Sequence, residues 1–242
     1  VDPIQIHPAA ITAVFLRVTA WAFTVLGLLW IFFDDQMRPA VDLVFGPVTD
    51  VPGGLLAVWP LFAWAAAFAV FAIVVAARVE YAPPPPPGMM FGRGMWLSLN
   101  AGLFEELLFR CIFFISMVPI LSALNWITLG LIRWLYETLL IPLANFATLG
   151  LLEDHLTGAS SWLLAAALLT VNGRFRNGHS YLGWLGTVNS WFVGMAMFYL
   201  TFGHGLIAAM VAHALYDAIL MLGGTITSWL RWNDLTSPYV RY

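Results

Sequence analysis

Glu105, Glu106 and Arg110 are the charged residues of a largely apolar stretch from residue 95 to 118. A charged side chain at bilayer depth costs about 2.5–3.5 kcal/mol on insertion scales. Two adjacent carboxylates also repel one another unless a cation compensates. Arg110 lies four residues after Glu106 and five after Glu105, so on a helix it reaches back along the same face. A chain that keeps this cluster must close other apolar helices around it. The cluster therefore marks a buried reaction or binding centre.

The composition agrees with that setting. Of 242 residues, 61% are hydrophobic and only 10% are charged, where a soluble domain carries about 25% charged residues. The fold class read from this is all-α, a polytopic transmembrane helical bundle with about six to eight membrane-embedded helices. All ten cations are arginine and the net charge is -3, with no basic run of the kind that binds nucleic acid. The one cysteine, Cys111, excludes an intrachain disulfide. Twelve tryptophans fit an interfacial aromatic belt.

Residues 9–33 and 53–77 are each long enough to span a hydrocarbon core of about 30 Å. They form an N-terminal transmembrane pair within 1–82, joined by an acidic loop carrying Asp34, Asp35, Asp42 and Asp50. Five prolines, Pro83 to Pro87, favour a stiff polyproline II spacer, read as a linker over 83–94. The membrane core follows at 95–222, and 223–242 reads as an interfacial tail. Within the core, 121–151 is either one long helix or two short ones. It carries Arg133 and Glu137 at i,i+4, and a polar turn follows at Glu153-Asp154-His155. Further apolar segments cover 159–172, 184–202 and 206–222, the last two joined at Gly203-His204-Gly205. No internal repeat is visible. Arg78 and Arg93 favour a cytoplasmic 78–94 loop, in a protein of the bacterial inner membrane surrounded by lipid.

Two more polar intrusions complete the set. His213 and Asp217 share one face of an apolar helix, and His179 follows Phe175 by four residues. Carboxylates and imidazoles gathered in an apolar bundle suit hydrolysis: a carboxylate takes a proton from water and an imidazole positions it. Two histidines with one or two carboxylates also suit zinc, with Glu105, His179 and His213 as candidate ligands. Axial ligation of haem or chlorophyll by intramembrane histidines is a third reading, without any Cys-x-x-Cys-His. His155 is a rival to His179 but lacks a phenylalanine four residues before it. His204, between two glycines, reads as an interfacial loop residue.

Glu105-Glu106-x-x-x-Arg110, Phe175-x-x-x-His179 and His213-x-x-x-Asp217 resemble, in order, the three motifs of the CPBP family of intramembrane endopeptidases. That family includes CAAX prenyl proteases and bacteriocin-processing and immunity proteins. The resemblance covers about residues 95–222. It implies helices around a cavity open to the membrane, in which water attacks a peptide bond of a peptide or protein substrate. Glu105 would be the general base, His179 would orient the water, and Glu106 would pair with Arg110. His213 and Asp217 would face the oxyanion, and metal-independent chemistry is favoured. Three features depart from the family pattern. The interval from Glu106 to His179 is long, so 120–151 reads as an insertion. Asn177 and Gly178 break helices, which places His179 on a loop. Asp217 stands where asparagine is commoner, and an ionised Asp cannot donate to an oxyanion. The competing reading is a non-catalytic scaffold of this fold docked to a larger membrane complex.

Overall fold

The computed structural model describes residues 8–76, 86–157 and 161–236 and contains no strand among them. Its helices are α1 (Pro8–Phe45), α2 (Val51–Ala57), α3 (Trp59–Ala76) and the long α4 (Pro87–Ile127). They are followed by α5 (131–147), α6 (Glu153–Leu156), α7 (Trp162–Gly178), α8 (Gly183–His204) and α9 (Leu206–Thr236). Three of these, α1, α4 and α9, are long and apolar enough to cross a membrane. The α2–α3 pair makes a fourth if counted as one bent span. Six to eight membrane-embedded helices were expected.

Several segments differ from the sequence reading for local reasons. The acidic stretch after residue 33 is mostly helix: α1 kinks at Phe33 and then runs on to Phe45. Asp34 and Asp35 open this second half, where carboxylates favour the positive end of a helix dipole. Met37, Ala40 and Val44 then bury one face of it. Asp50 caps α2 by accepting from Gly53 N at 2.9 Å, and Pro52 occupies the first turn. The span expected over 53–77 is broken at Val58 by 60°, just before Pro60, because a proline removes a helical hydrogen bond and crowds the preceding turn. Helix begins at Pro87, so the linker read over 83–94 extends at most to Pro86, and Pro83 to Pro85 lie outside the described residues. At the far end α9 runs helically to Thr236, through most of what was read as a tail.

A repeat does exist, around α5. Asn125-x-x-Thr128-Leu129-Gly130-Leu131 recurs as Asn145-x-x-Thr148-Leu149-Gly150-Leu151. Each copy ends a helix in the same way. Gly130 N bonds Asn125 O at 2.8 Å and Gly150 N bonds Asn145 O at 3.0 Å. Leu129 and Leu149 both sit at φ 53. These are Schellman caps with leucine where glycine usually stands. The 121–151 region is thus the end of α4, a cap, the separate α5, and a second cap. Arg133 and Glu137 pair across it at 3.0 Å on the exposed face.

The packing that seats the site lies along one stripe of α4. Gly94, Ser98, Gly102, Glu106 and Arg110 recur every four residues, and all are buried. A Cβ built on Gly102 would lie 2.6 Å from Met210 O and 2.7 Å from Ala214 Cβ, so α4 and α9 meet backbone to backbone there. Lipid is as apolar as leucine, so helices in a membrane associate through such close packing and through polar contacts. One apolar core joins α1, α4, α7 and α8 through Met37, Phe114, Leu168 and Phe198; a second joins α3, α8 and α9 through Ala65, Met197 and Ala212.

Candidate active site

The first motif lies in the middle of α4, where the helix widens. Ala101–Glu105 and Leu107–Phe113 are π-helical on either side of Glu106. Such bulges recur at functional sites. Neighbouring residues point different ways on a helix, and here the two glutamates part company. Glu106 continues the buried stripe towards α9, whereas Glu105 turns to a cavity.

Glu106 is fully buried and holds two partners. His213 Nδ1–H donates to its Oε1 at 2.6 Å, and Arg110 Nε lies 3.2 Å from its Oε2. Arg110 is also fully buried; it donates through Nη2 to Gly194 O at 3.1 Å. Its guanidinium is covered by the Phe175 ring at 4.4 Å and the Phe198 ring at 5.2 Å, a cation–π enclosure. The approach to Gly194 is close: a Cβ there would meet Asn172 Oδ1 and the Phe175 ring. Asn172, which closes the apolar segment read over 159–172, is fully buried and donates to Trp191 O at 3.0 Å, tying α7 to α8.

The second motif owes its spacing to two jobs of Phe175. Its ring covers Arg110, and its carbonyl accepts from His179 Nδ1–H at 2.8 Å. α7 continues through Asn177 and Gly178, so His179 caps the helix rather than standing on a detached loop. Because the carbonyl takes the Nδ1 proton, the neutral imidazole presents its Nε2 lone pair. That nitrogen faces Glu105 Oε2 at 3.9 Å, beyond hydrogen-bond range. The same Glu105 oxygen is buried and accepts no hydrogen bond from the described residues. In the third motif His213 is buried, and its Nε2 lies 3.7 Å from Asp217 Oδ2.

The six residues singled out in the sequence thus form two connected groups. Glu106, Arg110 and His213 make a sealed polar knot. Glu105, His179 and Asp217 line a cavity of about 730 Å³, together with Phe15, Phe68, Asn189 and Tyr181. His213 was expected to open on the cavity with Glu105 and His179, but it lies behind it, with Nδ1 committed to Glu106. No group of three His, Cys, Asp or Glu among the described residues is arranged to hold a metal ion.

The two rivals lie elsewhere. His155 packs against Phe202, with ring centroids 4.8 Å apart and the planes tilted by 59°. His204 ends α8 and faces Asp50 at 3.6 Å. Sequence reasoning missed Asn189, Phe175's double role and the Gly94-Ser98-Gly102 approach. Of these, only the last carried a sequence signal, its four-residue spacing in phase with Glu106 and Arg110. No protein-family model matches the chain, and no curated protein or solved structure matches it either. The CPBP resemblance thus rests on the three motifs.

Proposed function

We propose that this chain is an intramembrane endopeptidase of CPBP type, which hydrolyses a peptide bond with glutamate-activated water. The observation that carries the reading is the shared cavity: Glu105, His179 and Asp217 face one space of about 730 Å³. Glu105 accepts a proton from water, and the His179 Nε2 lone pair, fixed by the Phe175 carbonyl, orients that water. The 3.9 Å between them is too long for a direct bond and suits two groups sharing one water. Hydroxide attacks the carbonyl carbon, and the proton held by Glu105 passes to the leaving amine. Glu106, Arg110 and His213 act as the rigid wall that sets where Glu105 stands. A bacterial inner membrane setting, with six or more embedded helices and a peptide or protein substrate, belongs to the same proposal.

The alternative is a non-catalytic scaffold in a larger membrane complex, which expects the polar groups to pair off and leave no cavity. Glu106, Arg110 and His213 do pair off, but Glu105, His179 and Asp217 remain at a cavity, which favours the enzyme. The test compares the unaltered chain with Glu105→Gln, purified in detergent, on fluorescence-quenched apolar peptides. The variant is expected to lose cleavage while melting at an unchanged temperature. Equal cleavage by the variant removes Glu105 from the chemistry. Stoichiometric co-purification of a membrane partner, with no cleavage by the unaltered chain, favours the scaffold.

A further inference from the structure

Water attack on a peptide carbonyl places negative charge on its oxygen, and a donor aimed at that oxygen is often the largest single contribution to catalysis. The residues assigned to this role by motif cannot fill it well. His213 Nδ1–H is spent on Glu106 and its Nε2 faces Asp217. Ionised Asp217 has no proton to donate.

The other donors on the cavity wall are nearly all committed. Ser98 donates to Gly94 O at 2.9 Å and Thr227 to Gly223 O at 3.0 Å, while the His179 Nδ1 proton is held by Phe175 O. Tyr181 stands at the rim, 78% exposed, on the short turn Ser180–Leu182. Asn189, from α8, is different. Its Oδ1 accepts from Trp64 Nε1 on α3 at 2.9 Å and from Tyr216 OH on α9 at 2.9 Å. An indole N–H can only donate, so the atom facing Trp64 must be the amide oxygen. That fixes which way the amide is turned. Its Nδ2 group, with two protons, has no acceptor among the described residues. Tyr216 immediately precedes Asp217 on α9, and Asn189 and Asp217 both line the cavity.

We propose that Asn189 is the oxyanion donor of this site, its Nδ2 turned into the cavity by the grip of Trp64 and Tyr216 on Oδ1. This rests on the hydrolytic reading. As hydroxide adds to the carbonyl carbon, the π electrons move to oxygen, and the Asn189 amide hydrogen-bonds that oxygen without transferring a proton. When the tetrahedral centre collapses, the C–N bond breaks, the carbonyl re-forms and the amine leaves with the proton carried by Glu105. The donor is held before reaction by two other helices, so little reorganisation is needed as charge develops.

Asn189→Asp separates this role from a structural one. The aspartate keeps an acceptor for Trp64 and Tyr216 and nearly the same shape, but has no N–H to offer. On the quenched apolar peptides, Asn189→Asp and Asn189→Ala are expected to lower kcat by about 10²–10³, as for loss of one oxyanion donor, with KM little changed. If Glu105→Gln abolishes cleavage while Asn189→Asp stays within a few-fold of the unaltered chain, Asn189 is not the donor and the hydrolase reading stands. If Glu105→Gln cleaves normally, the hydrolase reading falls and the oxyanion role with it. A second readout does not need turnover. A statine-containing apolar peptide carries a hydroxyl where the tetrahedral oxygen would be, and its binding is measured by fluorescence. At least tenfold weaker binding to Asn189→Asp supports the donor; equal binding, or none to the unaltered chain, overturns it.

Discussion

Replacing Glu106 by methionine leaves Arg110 as a buried cation with no counter-ion. Both side chains are fully buried, with Arg110 Nε 3.2 Å from Glu106 Oε2. At an effective dielectric of about 20, unit charges at that separation attract by about 5 kcal/mol. Removing both charges from water costs several kcal/mol per ion, so the intact pair adds little net stability. Breaking it is another matter: one partner removed costs about 3–5 kcal/mol, because the other charge stays buried. Since about 1 kcal/mol shifts the melting temperature of a chain this size by roughly 2–4 °C, Glu106→Met is expected to melt about 10 °C lower in detergent. Adding Arg110→Met removes the orphaned cation. The double variant keeps one defect, the His213 Nδ1–H that bonds Glu106 at 2.6 Å in the unaltered chain. An unsatisfied buried donor costs about 1–3 kcal/mol. The double variant should therefore be more stable than Glu106→Met alone. A double variant as unstable as the single one, or a single variant that melts like the unaltered chain, refutes the account of the polar knot.

Gly102→Ala places a methyl against the Met210 carbonyl and Ala214, and such overpacking costs about 1–3 kcal/mol; thermal melts should register the loss. The same substitution pushes α4 from α9 and should weaken any cleavage more than it weakens peptide binding. Leu129→Gly and Leu149→Gly relieve left-handed leucines at φ 53, and each should raise stability in detergent by about 1 kcal/mol. Burial against Phe202 holds the His155 imidazole below its ordinary value of 6.5, with the Asp154 charge opposing. Folding therefore favours the neutral ring, so this contribution is complete above pH 6.5 and lost as pH falls through the lowered value. Melting temperatures of the unaltered chain and His155→Phe, followed from pH 8 to 5, should run parallel above pH 6.5 and separate on the acid side, where only the unaltered chain carries the His155 loss.

Much of the candidate site was legible because its residues violate their surroundings. Glu105, Glu106, Arg110, His213 and Asp217 stand out in apolar helices, and their four-residue spacings place them on shared faces before any coordinates exist. His179 was legible only through its spacing from Phe175, and the reason for that spacing is not in the sequence: Phe175 covers Arg110 with its ring and turns His179 with its carbonyl. Helix boundaries were read less well. Asp34, Asp35 and Asp42 looked like loop residues because they are polar, yet Met37, Ala40 and Val44 give that stretch a buried face. The paired caps around α5 escaped notice because the repeat is only seven residues long and lies in apolar sequence.

By itself the sequence determined that the chain is helical and apolar enough for a membrane, and that its few charges must gather. Those are local and compositional facts: hydropathy sets the solvent, and periodicity sets the face. Only the tertiary structure decided how Glu106 is sealed, by Arg110 and His213, and which residues share the cavity that Glu105 lines. It also decided that His213 lies behind the wall and that Asn189 faces the cavity. These outcomes depend on contacts between residues far apart in the chain, such as Gly102 against Met210 and Ala214, or Asn189 between Trp64 and Tyr216. Such pairings leave no local periodicity to read, because the partners sit on different helices and are brought together only when those helices pack.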